Sequence, residues 1–151
     1  DGVDLTMRDA EASDAVGGNL DLQPTSVLPA ILEHDVPAIL ARGVSDLALH
    51  DVTVEWADDV PDYCTSAVCC EDVSDVLLDG VVGAPAHGGA FLELYDTEGI
   101  TVRNGRLDGD ATAFLDVSDT EDERIFALND AAEASIAVRG EADFTESGNS
   151  V

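Results

Sequence analysis

The stretch GVSDLALHDVTV at 43–54 returns as DVSDVLLDGVVG at 72–83 and as DTEGITVRNGRL at 96–107. A phrase repeated at near-constant spacing means one supersecondary unit built several times over, and few folds accommodate that. Aligned on Val44, Val73, Thr97 and Thr120, the copies stand 29, 24 and 23 residues apart. Five positions upstream the column is Ile39, Val68, Leu92, Leu115; three upstream it is Ala41, Cys70, Leu94, Val117. The column between them, Leu40, Cys69, Glu93, Asp116, turns polar in the later copies, and the next outward one is Arg42, Glu71, Tyr95, Ser118. Such alternation has the period of a β-strand, whose side chains point to opposite faces in turn.

A turn of the form D-V-S-D or D-T-E-G follows. A second strand then sets Leu47, Val76, Ile100 and Leu49, Leu78, Val102 on the inward phase. Asp51, Gly80 and Asn104 come next, residue types that tolerate left-handed backbone and close tight turns. The fourth copy fits with two residues inserted at EDE, 121–123, which brings Ile125, Ala127 and Asn129 into these columns. GVDLTMRD at 2–9 reads as an earlier second strand, with Leu5 and Met7 inward and Asp9 at the turn. The step from Gly2 to Val44 is too long for one copy. A loop excursion or irregular coil is therefore expected at about 15–37, which holds three of the five prolines.

A unit this short, without helical periodicity, cannot bury its inward face alone but can stack on copies of itself. The sequence therefore predicts an all-β chain, a right-handed, single-stranded parallel β-helix. This β-solenoid would have about four to five coils over 1–138, with side chains of one column laddered at about 4.8 Å. Residues 139–151 read as a polar C-terminal tail, with the stack ending near Val138. A β-sandwich competes, but hairpin pairing does not require the same column at every turn.

Charge narrows the partners. Thirty-three acids stand against six arginines and no lysine, a formal charge of -27, so no basic patch exists to displace counterions from nucleic acid. The acids are interleaved with aliphatic strands rather than blocked together, which marks a surface coat and not a disordered tail. A folded, lysine-free, acidic chain resembles halophilic proteins, where concentrated salt screens self-repulsion. No run of about 18 apolar residues is present to span a membrane. Cys64, Cys69 and Cys70 form no C-x-x-C pair, and His34, His50 and His87 lack ligand spacing, so neither a metal site nor a cofactor is expected. Cys69 is expected as a surface thiol and Cys70 as a small core residue.

At LARGVSDLALHDVTVEW, 40–56, VCCEDVSDVLLDGVVG, 68–83, and LYDTEGITVRNGRL, 94–107, the chain resembles the pectin-lyase-like right-handed β-helices. More narrowly it is similar to the C-terminal coils of polygalacturonase-like proteins, glycoside hydrolase family 28, over roughly residues 38–130. The resemblance implies hydrolysis of glycosidic bonds in uronic-acid-rich polysaccharide, by clustered Asp residues helped by His and a basic pair. The family's N-T-D, G-H-G and R-I-K motifs are absent. Adjacent Asp58 and Asp59 lie in a joining loop, so the catalytic role is not carried over to them. The chain is thus expected to be a C-terminal β-helix segment of a carbohydrate-active protein, joined to upstream coils and without that protein's catalytic residues. The alternative is a non-catalytic solenoid, a binding or structural module at the cell surface or outside the cell.

Within the chain, Glu93 and Asp116 share an outward column on adjacent coils, which sets two carboxylates at about the 5 Å a retaining glycosidase uses. They are the catalytic candidates, against a solvated-face reading that 33 acids make several times more frequent. Trp56, Tyr63 and Tyr95 are the candidates for stacking on sugar rings, an amphipathic ring offering an apolar face and a polar tip. Trp56 packs equally well under the loop ADDVPDY. Arg42 and Glu71 are read as a plain ladder ion pair. HGGAF at 87–91 matches an oxyanion-hole loop without the G-x-S-x-G that chemistry needs, and reads as a turn with His87 exposed. GGNLDL at 17–22 half-matches a calcium nonapeptide but occurs once.

Overall fold

The computed structural model describes residues 2–8, 36–140 and 143–150. The expected excursion at 15–37 lies almost wholly outside them, as do Asp9, GGNLDL and His34. Eleven strands and no helix make up the described chain: β1 (Val3–Met7), β2 (Ile39–Ser45), β3 (Ala48–His50), β4 (Val52–Trp56), β5 (Val68–Asp79), β6 (Val82–Gly83), β7 (Ala90–Arg103), β8 (Arg106–Leu107), β9 (Ala113–Ala127), β10 (Val138–Arg139) and β11 (Thr145–Ser147). All pair in parallel. One sheet runs β10-β9-β7-β5-β2, with β3 beside β5 and β11 beside β9, and a second runs β1-β4-β6-β8. The chain is all-β with two parallel sheets, a pattern compatible with a β-solenoid.

The columns of the repeat are hydrogen-bonded rungs. Ile39 pairs with Val68, Val68 with Leu92 and Leu92 with Leu115; Ala41, Cys70, Leu94 and Val117 do the same. These inward residues are buried almost completely apart from the half-exposed Ile39 of the first rung. Between the two strands of each copy the chain bends through two left-handed residues that flank one inward side chain. The first set is Gly43, Asp72, Asp96 and Asp119, the second Asp46, Asp75, Gly99 and Asp122, all with positive φ. Aspartate supplies most of these positions because its short side chain bonds locally and tolerates that backbone. A third left-handed column, Asp51, Gly80, Asn104 and Leu128, ends the second strand.

The core is aliphatic with one aromatic file. Phe91 meets Phe114 edge-to-face at 5.2 Å, Phe114 meets Phe126 at 5.5 Å, and Phe126 meets the half-buried Phe144 at 6.4 Å. Each fully buried ring contributes about 2–3 kcal/mol through removal of apolar surface from water.

Four expectations are corrected. First, each copy has a third strand: Thr53 pairs with Val82 and Val82 with Arg106, and β1 joins this sheet, Leu5 on Val54 and Met7 on Trp56. Leu5 and Met7 therefore do not continue the second-strand columns. Glycine hides this strand, because a Cβ on Gly83 would stand 2.4 Å from the Val54 carbonyl oxygen and one on Gly105 would stand 3.0 Å from Phe114. Second, the fourth copy carries one extra residue and not two, so Arg124, Phe126 and Leu128 take the places expected for Ile125, Ala127 and Asn129. The Phe126 ring, fully buried between Phe114 and Phe144, takes the inward place in this register. Third, the stack does not end near Val138. Thr145–Ser147 pairs with Ile125–Ala127 and Ser150 bridges Asp130, so part of the expected tail adds further pairing. Fourth, Cys69 is only 5% exposed and is not a surface thiol.

Candidate functional site

The outward column of the long sheet brings the two carboxylate candidates together. Glu93 on β7 and Asp116 on β9 are paired residues of neighbouring strands. The next position up the same column is Arg139 of β10, which pairs with Asp116. Its Nε and Nη2 both donate to Asp116 Oδ2, at 3.0 and 2.5 Å, and this bond with its charge raises the Arg139 pKa. The column thus also holds a basic residue, and Asp116 already occupies it.

Glu93 is engaged as well. Ser66 Oγ donates to Glu93 Oε2 at 2.8 Å, and the Tyr95 side chain hydrogen-bonds to Glu93. Burial, then the carboxylates of Glu93 and Asp116, push the Tyr95 hydroxyl above its usual range, so it remains a donor at neutral pH. Below Glu93 in the column lies Cys69, whose thiol burial pushes up to about 12, helped by Glu93 and Glu71. Cys70, turned inward, is likewise pushed up to about 12 by burial. Neither thiol is a nucleophile at neutral pH, since the thiolate is the reactive form.

The aromatic candidates are not brought into one site. Tyr95 borders a depression of about 100 Å³ on the long sheet. Trp56 borders another of about 390 Å³ beside the short sheet, with Glu55, Pro85 and Asp108. Its Nε1 donates to the Ala84 carbonyl at 2.9 Å and the ring packs on the core, so it is braced by the loop of the following copy. Tyr63 sits half-buried in the loop between β4 and β5, its carbonyl accepting from Val36 N–H. His87 is exposed and bonds the Pro61 carbonyl through Nε2 at 2.9 Å, while Gly88 and Gly89 form the turn into β7.

Two further ladders decorate the outside. Arg42 Nε donates to Glu71 Oε2 at 2.6 Å. Asp79 accepts from Arg103 Nη2 at 2.8 Å and Asn104 Nδ2 at 2.7 Å, with His50 Nδ1 at 3.7 Å, and these donors lower its pKa. A third depression, about 360 Å³, follows the bends past Asp72, Asp96 and Glu98. Among the described residues no group of three or more His, Cys, Asp or Glu side chains is placed to hold a metal ion. No helix in them is long and apolar enough to cross a membrane.

Chemically the face is a set of closed ion pairs and hydrogen bonds. A glycosidase needs one carboxyl held as an acid and a second one available to attack or to activate water. Here Asp116 is bound to a guanidinium and Glu93 to two hydroxyls, so both carboxylates are engaged within the chain. Arg139 was missed from the sequence because it lay in the supposed tail, yet the 23-residue step that leads from Thr97 to Thr120 leads equally from Asp116 to Arg139. The chain matches no family model, no curated protein and no solved structure.

Proposed function

We propose that the chain is a segment of a right-handed parallel β-helix of the pectin-lyase-like type, similar to the C-terminal coils of polygalacturonase-like proteins, and that its outer face holds polysaccharide without cleaving it. The observation that carries this reading is the ladder Glu93, Asp116, Arg139, in which both candidate catalytic carboxylates are already committed to partners within the chain. The rung-by-rung register supports the fold, and the face it presents is long, rigid and hydroxyl-seeking. Hydrolysis belongs, in this reading, to other coils of a longer protein.

The test is an assay of the full 151-residue chain in molar KCl against pectic polysaccharides. Retention of polysaccharide without release of reducing ends is the expected result. Release of reducing ends that disappears in Glu93→Gln or Asp116→Asn would overturn the reading, and so would failure to retain any of these polysaccharides.

A further inference from the structure

The two sheets end unevenly on the side where β1 lies. In three copies one column of the first strand stands 14 residues before one column of the third: Ile39 and Thr53, Val68 and Val82, Leu92 and Arg106. Each member pairs with its counterpart in the next copy. On its other side Thr53 pairs with Asp4, so β1 is a third strand one rung beyond β4. Gly2, against Asp51, takes the place in which the next copy ends its second strand. Yet among the described residues no strand pairs with the outer edge of β2 or β3. The inward side chains beside this step are open. Val44 is 39% exposed against 2% for Val73 in the same column, and Val3 of β1 is 50% exposed. Leu47 and Leu49 are half-buried where Val76 and Leu78 are buried. An edge strand also leaves a row of N–H and C=O groups free to pair.

These features select an occupant. It must run parallel to β2, carry apolar residues over Ile39, Val44, Leu47 and Leu49, bend between its two strands, and finish where Gly2 begins. We propose that the step is the seat of one strand-bend-strand segment of the longer protein, the first two strands of the copy to which β1 belongs. The spacing gives its register: the residue that pairs with Ile39 stands 14 before Asp4. The inference rests on the longer β-helix proposed above and names the place and register at which its other coils join this segment. A second copy stacked end to end does not fit. Its last rung fills all three positions, with β10, β11 and Ser150 over Asp130, and β1 already holds the third. Residues 8–35 follow β1, so in chain order they answer to 57–67, which join β4 to β5, and not to a first strand.

A peptide probe tests it. A synthetic copy of residues 92–104 carrying Glu98→Cys is mixed with the full chain carrying Ser45→Cys, in molar KCl and a thiol-disulfide buffer. Ser45, Ser74 and Glu98 share one column, so a peptide seated with its Leu92 over Ile39 sets the two cysteines at about 4.8 Å, within disulfide reach. Cys69 and Cys70, buried and with thiols pushed up to about 12, compete weakly. Coupling is expected to be about tenfold or more faster than for a peptide with Thr101→Cys in place of Glu98→Cys, which is out of register. Adding Ile100→Asp to the first peptide spoils an inward place without touching the protein and should slow coupling as much. Equal coupling of all three peptides overturns the proposal. In the uncoupled chain the amides of β2 should exchange faster than those of β5, and coupling should slow them. If β2 is already as protected as β5, another occupant holds the edge and the proposal fails. If β5 and β7 exchange freely as well, the stacked fold itself falls. Retention of polysaccharide is measured separately on the uncoupled chain, so a failed seat leaves that role to its own assay.

Discussion

Leu128 stands at a φ of 57°, in a column otherwise filled by Asp51, Gly80 and Asn104. An L-residue with a γ-branched side chain is strained there by about 1–2 kcal/mol, whereas asparagine bonds locally and is at ease. The side chain is 61% exposed, so little burial offsets the strain. Leu128→Asn should therefore stabilise the chain by about 1 kcal/mol, read as a shift in the denaturant midpoint at constant slope. An unchanged or lower midpoint would mean that the contact of Leu128 with Gly148 outweighs the backbone term. Its neighbour shows the opposite economy. Asn129, 1% exposed, accepts from Gly105 N–H at 2.9 Å and donates to the Val102 carbonyl at 3.0 Å, while its own N–H reaches Asn149 Oδ1 at 3.0 Å. Asn149 in turn donates to the Phe126 carbonyl at 2.9 Å. Asn129→Ala leaves the buried Gly105 N–H without its partner and should cost about 1–3 kcal/mol in chemical denaturation, with no measurable loss contradicting the network.

Among the elements, what the sequence revealed followed burial. The two long strands of each copy were legible because their inward columns are nearly all aliphatic, and period two shows wherever one face is packed and the other wet. The third strand was not, because β6 and β8 are two residues long and glycine takes inward places at Gly83 and Gly105, leaving no side chain to mark the phase. In IFA, 125–127, three apolar residues in a row make one inserted residue and two equally plausible on pattern alone; only the Phe126 contacts separate them. The candidate site was half legible. Glu93 and Asp116 fell together as their columns required, but period two gives only the direction in which a side chain points, so the burial of Cys69 on an outward column was not legible.

For the whole molecule, charge sets the conditions under which the fold persists. With 33 acids against six arginines, the folded chain concentrates repulsion that the unfolded chain dilutes, and among the described residues few acids have a cationic partner. At 0.1 M salt the screening length is about 10 Å, which covers about two rungs, and at 1 M it is about 3 Å, less than one. Raising KCl from about 0.1 to about 3 M should raise the melting temperature by about 10 °C, or about 3 kcal/mol for a chain of this size. Sucrose at equal osmolality should not reproduce the gain, and a flat response to KCl would show that the acids do not govern stability. The same repeat has a genetic consequence. If the segments stack as proposed, a duplication of about one period in the gene adds one storey to the molecule, and the extra residue in the fourth copy shows that a storey tolerates small changes in length. The length of the outer face is then a quantity that inheritance can lengthen or shorten by whole steps, independently of the chemistry written on any one of them.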